Sequence, residues 1–221
     1  YTFFDHHLFD GKKILLHKGS VNYKLAQSVK VENIKWSPNI IEQLKAIKNS
    51  VEIDGAKKTM IYDGIVLVKL ILWLERMANE SPVNEYDIAQ KLILLRSEFE
   101  SYIGESFPAI VGYESNGAIV HYRPSPKTAS VIKPQGILLL DTGGQYLEGT
   151  TDITRTFALG KPDIEQIKHF TLVLKGHIAL AMAKFPIGTK GVQLDTLARI
   201  ALWKAGLNFG HGTGHGVGSF L

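Results

Sequence analysis

The sequence has no cysteine, so no disulfide framework stands behind its fold; that fits a reducing compartment, and a cytoplasmic protein is the expectation. Long apolar runs are missing as well. The strongest, Gly64 to Leu74, is broken by Lys69 and falls short of the ~20 residues of a membrane-crossing helix, so no membrane partner is expected. Neither sign of charge dominates: 25 basic against 21 acidic residues leave +4, with a pI near 9.1, and the lysines are scattered singly. A nucleic-acid binder concentrates its basic side chains in a patch, so these read as solvated surface and no nucleic-acid partner is expected. No repeat, low-complexity tract or signal peptide is visible. The chain opens on Tyr1 in place of Met, as it would had an upstream segment been removed or left out.

What is present is ordinary for a globular protein. With 45% hydrophobic and 21% charged residues, 221 residues can bury a large core in one domain with an appendage. Residues 1–35 read as the tail of a preceding domain, with a strand at Lys12–His17 and a short helix at Ser20–Ser28. Trp36-Ser37-Pro38 marks a boundary, Ser37 as helix N-cap and Pro38 at the first helical position, and the domain that follows runs from 36 to 221. Ile40, Ile41, Leu44 and Ile47 recur at helical spacing as a packing stripe. Further helices are predicted over Val51–Ala78, with Trp73 and Met77 on one core-facing side, and over Asn84–Arg96, capped by Asn84 with Glu85 and Asp87 at the positive end of the dipole. Ala109–Tyr113 and Ala118–Tyr122 read as two strands joined by an Asn116-Gly117 turn. Later helices open near Pro162 and run to Lys184, and from Leu194 to Lys204, ended by Gly206. His169 and His177 on the first of these lack any partner pattern and read as structural or solvent-facing.

Two stretches carry chemistry. In the first, the apolar run Ile137–Leu140 leads into Asp141, and Asp152 follows eleven positions later inside the β-branched segment Thr150–Thr156. Gly143, Gly144 and Gly149 supply turn or bulge freedom, so the two strands fold back as a hairpin and bring the carboxylates to one spot. Like charges that close repel and raise one pKa unless a cation lies between them, which points to a hard divalent metal. Taken alone, the pair reads equally well as turn caps. The second stretch, His211-Gly-Thr-Gly-His215-Gly-Val-Gly218, has two histidines four apart in a glycine-rich backbone that can approach a ligand closely. Alone it reads as a flexible loop or a leftover tag; beside the Asp pair, the metal reading gains. His121 alone reads as a satisfied core or edge residue.

Together, Asp141 to Arg155, Asn116 to Tyr122 and His211 to Phe220 resemble the Xaa-Pro aminopeptidases, also called aminopeptidase P, over roughly Trp36 to Leu221. The resemblance implies an α+β class and the pita-bread metallopeptidase fold, with a curved antiparallel sheet, helices on its outer face, and a domain incomplete at its C-terminus. It implies two Mn²⁺ ions per complete site, Asp141 chelating one, Asp152 bridging both and His215 binding the other, with Thr154 supporting Asp152. His121 and His211 would contact substrate. A metal-activated water would cut the bond between an N-terminal residue and a following proline, so the implied partners are peptides with proline second, and the full-length enzyme would be a homodimer. The family's two Glu ligands and its proton-transfer His lie downstream of His215, so no catalytic acid or base is assigned within these residues. The expectation is a piece of a longer enzyme, inactive by itself. Rival readings are prolidase, acting on dipeptides; creatinase, which uses no metal; and a non-catalytic pita-bread module that grips peptides, as in histone chaperones.

Overall fold

The structure, a computed structural model, describes residues 11–77 and 82–218; Ala78, Ser219 and Phe220 lie outside them. The chain divides into two compact units, Tyr1–Ile53 and Asp54–Leu221. In the first, strand β1 (Ile14–Leu16) pairs in parallel with β2 (Ile34–Trp36), and helix α1 (Tyr23–Gln27) lies between them in sequence. The expected boundary at Trp36 falls at the end of β2. Helix α2 (Ile40–Ala46) starts two residues later than expected. Asn39, not Ser37, is its cap, because the Asn39 side chain accepts from the amides of both Ile41 and Glu42, while the Ser37 hydroxyl donates to the Pro38 carbonyl. The stripe Ile40, Ile41, Leu44 and Ile47, expected to pack, is exposed.

Helix α3 (Ser50–Met77) has all but its first turn in the second unit. Asn49 and Glu52 cap it reciprocally, each side chain accepting the other's amide. Its buried positions, Gly55, Thr59, Asp63, Val66, Leu67 and Leu70, fall three or four apart on one face. That face has two halves. Val66, Leu67 and Leu70 enter the core with Ile88, Leu92 and Leu95 of α4 (Glu85–Arg96) and with Val111, Leu138, Leu140 and Ile153 of the main sheet. Each fully buried aliphatic side chain there contributes roughly 1.5–3 kcal/mol. Trp73 and Met77 pack on the edge of this core. The other half of the face, Gly55, Thr59 and Asp63, meets polar loops; a Cβ on Gly55 would lie 2.2 Å from the Glu148 carbonyl oxygen.

The main sheet has the order β4-β5-β7, with β4 (Ile110–Tyr113) and β7 (Ile153–Ala158) both antiparallel to β5 (Ile137–Thr142). A second sheet pairs β3 (Tyr102–Glu105) with β6 (Gly144–Tyr146). Helices α5 (Ile164–Ala181) and α6 (Gly191–Trp203) follow; Asp163 caps α5, so Pro162 precedes the cap instead of opening the helix. His169 and His177 are exposed.

The expected strand at Ala118–Tyr122 is absent. Glu114–Ala118 forms a 3-10 turn, entered by Glu114 at φ 51°, and β4 takes β5 as its neighbour instead. Asn116, expected to make a hairpin turn, gives its side-chain amide to both oxygens of the buried Glu85.

Candidate active site

Period-2 alternation decides which side chains reach the site. Along β5, Leu138, Leu140 and Thr142 are buried, while Ile137, Leu139 and Asp141 point to the other face. Across the pair, Asp141 sits opposite Thr154, two residues beyond Asp152, so the two carboxylates are diagonal neighbours on the same face. The hairpin closes through Tyr146 and Gly149, whose amides and carbonyls exchange hydrogen bonds. The glycines serve space more than turn freedom. None of Gly143, Gly144 and Gly149 has positive φ, and a Cβ on Gly143 would lie 1.9 Å from the Thr151 carbonyl oxygen. Thr154 donates to Asp141 (Oγ1–Oδ1 2.7 Å), not to Asp152 as expected.

Burial and then the negative charge of Asp141 push the Asp152 carboxyl above the ordinary Asp range, and His215 partly offsets them. His215 Nε2 lies 3.4 Å from Asp152 Oδ2, with side chains 61% and 19% exposed. The His215 Nδ1 is 2.9 Å from the Gly216 carbonyl oxygen. A carbonyl oxygen only accepts, so Nδ1 carries a proton and Nε2 is the ring nitrogen turned to the carboxylate. Two carboxylates facing one another repel unless a cation or an added proton intervenes. Oxygen donors with one imidazole are the chemistry of a hard or borderline divalent ion, so these residues fit one. Among the described residues no three His, Asp, Glu or Cys side chains are close enough together to hold a metal ion, so Asp141, Asp152 and His215 supply the donor types without a closed set.

The two remaining candidates stand apart. His121 is exposed in the left-handed region (φ 57°), and His211 is exposed and tilted against Phe209, ring centroids 4.8 Å apart. Among the described residues no hydrogen bond or ion pair ties either ring to the Asp pair. Their loops are nonetheless held. Glu85 accepts from the Tyr113 and Ser130 amides, the Asn116 side chain and the Tyr122 hydroxyl, closing the loop that carries His121. Arg199 on α6 donates to the Phe209 and His211 carbonyls, and its guanidinium lies 3.8 Å from the Phe209 ring centre. Asp195 accepts from Arg199 and Thr213.

Sequence reasoning missed a buried polar cluster behind the hairpin. Arg96 and Asp63 are fully buried as an ion pair (Nε–Oδ1 2.9 Å), and Arg96 also reaches Glu105 (2.6 Å). Burial alone would lower the Arg96 pKa, yet bonds to Asp63 and the Glu105 charge raise it overall. The available signal was Asp63 itself, a charge on the buried stripe of α3. Glu85 carried less signal, since an acid in a first turn already has a reason to be there.

Comparison with known proteins bears on the family and the fold. The model of metallopeptidase family M24 matches residues 54–221. A probable Xaa-Pro aminopeptidase P of Arthroderma gypseum is 45% identical over 213 residues, 96% of this chain and 33% of the relative. The solved X-prolyl aminopeptidase of Caenorhabditis elegans, described as a cytosolic enzyme with a di-nuclear active site, superposes with TM-score 0.88 at 40% identity, covering 95% of this chain and 34% of its own. Prolidase from Pyrococcus furiosus superposes at 0.73 with 25% identity, over 94% of this chain and 61% of that one. The chain spans about a third of the length of its curated relatives. With facing carboxylates on an antiparallel pair and a match over most of its length, this α+β chain has the pita-bread fold and belongs to metallopeptidase family M24.

Proposed function

We propose that this chain is part of a metallo-aminopeptidase that hydrolyses the bond between an N-terminal residue and a following proline. The observation that carries the reading is the meeting of Asp152 with Asp141 and with Nε2 of His215. Two Mn²⁺ ions, when bound, supply Lewis acidity and lower the pKa of water toward neutrality. Asp141 would hold one ion and His215 the other, with Asp152 serving both and further carboxylates drawn from outside these residues. Thr154 orients Asp141, and the Gly216 carbonyl fixes the His215 tautomer. His121 and His211 stand on the loops available to bind the peptide. The scissile amide has no N–H, so such a pocket recognises the proline ring by shape.

The similarity to the Caenorhabditis elegans enzyme supports a cytosolic location, and no described helix is long and apolar enough to cross a membrane. Residues 1–35 belong, in this reading, to a preceding domain, and the full-length enzyme is a homodimer. Likeness to prolidases makes dipeptidase activity the second reading, and greater identity to the aminopeptidases favours the first. The test is hydrolysis of Arg-Pro-Pro and of Arg-Pro by full-length protein with excess Mn²⁺. Cleavage of the tripeptide is expected, while the present residues alone stay inactive and bind Mn²⁺ weakly. Cleavage of the dipeptide only would make it a prolidase, and peptide binding without cleavage a non-catalytic module.

A further inference from the structure

We infer that the buried Asp63–Arg96 pair is a positioning element that sets the spacing of Asp141 and Asp152 from the opposite face of their hairpin. Each carboxylate has a neighbour in sequence whose side chain alternation sends the other way: Thr142 follows Asp141, and Thr151 precedes Asp152. Both are fully buried. Arg96 Nη1 donates to Thr142 Oγ1 (2.9 Å), and the Thr151 hydroxyl donates to Asp63 Oδ2. The guanidinium joins the two ends by pairing bidentately with Asp63, Nε to Oδ1 at 2.9 Å and Nη2 to Oδ2 at 3.0 Å. Thr151 Oγ1 also accepts from the Gly144 amide (2.8 Å), and the Tyr146 hydroxyl donates to Asp63 Oδ1 (2.6 Å). A continuous chain therefore runs Thr142, Arg96, Asp63, Thr151, with one end beside each carboxylate.

Stability alone is a poor reason for this arrangement. A buried ion pair loses much of its attraction to desolvation, and packed apolar residues often serve a core as well. What apolar residues do not supply is direction: hydrogen bonds fix the two strands at a set separation and forbid sliding. Coordination tolerates errors of only a few tenths of an ångström, so a metal pair needs its bridging carboxylates held that way.

This inference rests on the metal reading above, and its test separates the two. In full-length protein, Thr142→Val/Thr151→Val cuts both tethers and keeps every charge; Thr142→Ser/Thr151→Ser keeps both hydroxyls. Mn²⁺ titration followed by electron paramagnetic resonance is read beside a thermal melt. The expected result is a folded valine variant whose Mn²⁺ affinity falls roughly 10- to 100-fold, as for other groups that orient ligands, and a serine variant restored to wild-type affinity. Thr142→Val alone, which leaves Asp63 and Gly144 fully partnered, carries the same test with a smaller loss should the double variant not fold. Wild-type affinity in folded valine variants, with only the melting temperature lowered, overturns the positioning role and leaves the metal reading intact. A wild-type protein that binds no Mn²⁺ overturns both.

Discussion

The two parts of the candidate site are built differently. Asp141 and Asp152 stand on a strand pair whose reverse face is Leu138, Leu140, Thr142 and Ile153, all buried, with Arg96 and Asp63 behind them. His211 and His215 stand on a segment without helix or strand, where Gly212, Gly214 and Gly216 have open space around them and contact with the protein runs mainly through Arg199 and Asp195. A residue carried by core strands shares the global stability of the domain, whereas one on an exposed glycine-rich segment can move at little cost. The strand pair thus fixes the carboxylates, while the segment that carries the histidines can shift at little cost.

Four measurements break or sharpen that contrast. Asp152→Asn should abolish peptide hydrolysis by the full-length enzyme, because an amide offers one good acceptor oxygen where two ions need two. His211→Ala should cost only about 10²- to 10³-fold, the loss expected for one hydrogen-bonding group at the substrate. The reverse ranking in turnover assays would assign the chemistry to histidine and remove the metal bridge.

Leu140→Ala, at a fully buried position on the reverse face of β5, should cost about 2–5 kcal/mol in urea unfolding. A smaller loss would mean that the carboxylates do not share the stability of the core.

The third measurement is Mn²⁺ affinity against pH. A proton on Asp152 competes with the ion, and burial together with Asp141 raises the pKa of that proton. In a His215→Gln variant, where no imidazole proton competes, affinity should therefore begin to fall, as pH drops, at a higher pH than an ordinary Asp with pKa near 3.9 would give. Onset at or below the ordinary value would show that Asp152 feels neither burial nor its neighbour.

The smallest effect is expected at Phe209→Ala. It removes the ring under Arg199, a contact worth about 0.5–1 kcal/mol at exposed sites, and should speed amide exchange over residues 208–216 while leaving β5 and β7 unchanged. Equal acceleration in the strands would show that the two parts are one cooperative unit.

Much of this was readable beforehand, for identifiable reasons. The apolar run before Asp141 and the β-branched segment around Asp152 specify two strands, and ten intervening residues suffice to fold one on the other. The Asn84 and Gly206 punctuation of α4 and α6 is local chemistry, so it was legible too. Local signals failed where a distant group competed. Asn116-Gly117 has the letters of a hairpin turn, but the buried Glu85 carboxylate needs donors and takes the Asn116 amide, so the segment winds into a 3-10 turn. Ser37-Pro38 has the letters of a helix start, and Asn39 next door reaches more amides. Thr154 was assigned to the wrong carboxylate because register across a pair depends on the whole hairpin.

The sequence by itself determined the inventory of the site: which carboxylates and imidazoles exist, that alternation puts Asp141 on the face opposite Leu140, and that glycine frees the backbone around His215. Only the tertiary structure decided that Asp63 and Arg96, thirty-three positions apart on two helices, meet behind that inventory and join Thr142 to Thr151. The physical reason is range. Strand alternation and helix caps are set by neighbours within a few residues, whereas a buried ion pair exists only where packing has already excluded water from both partners.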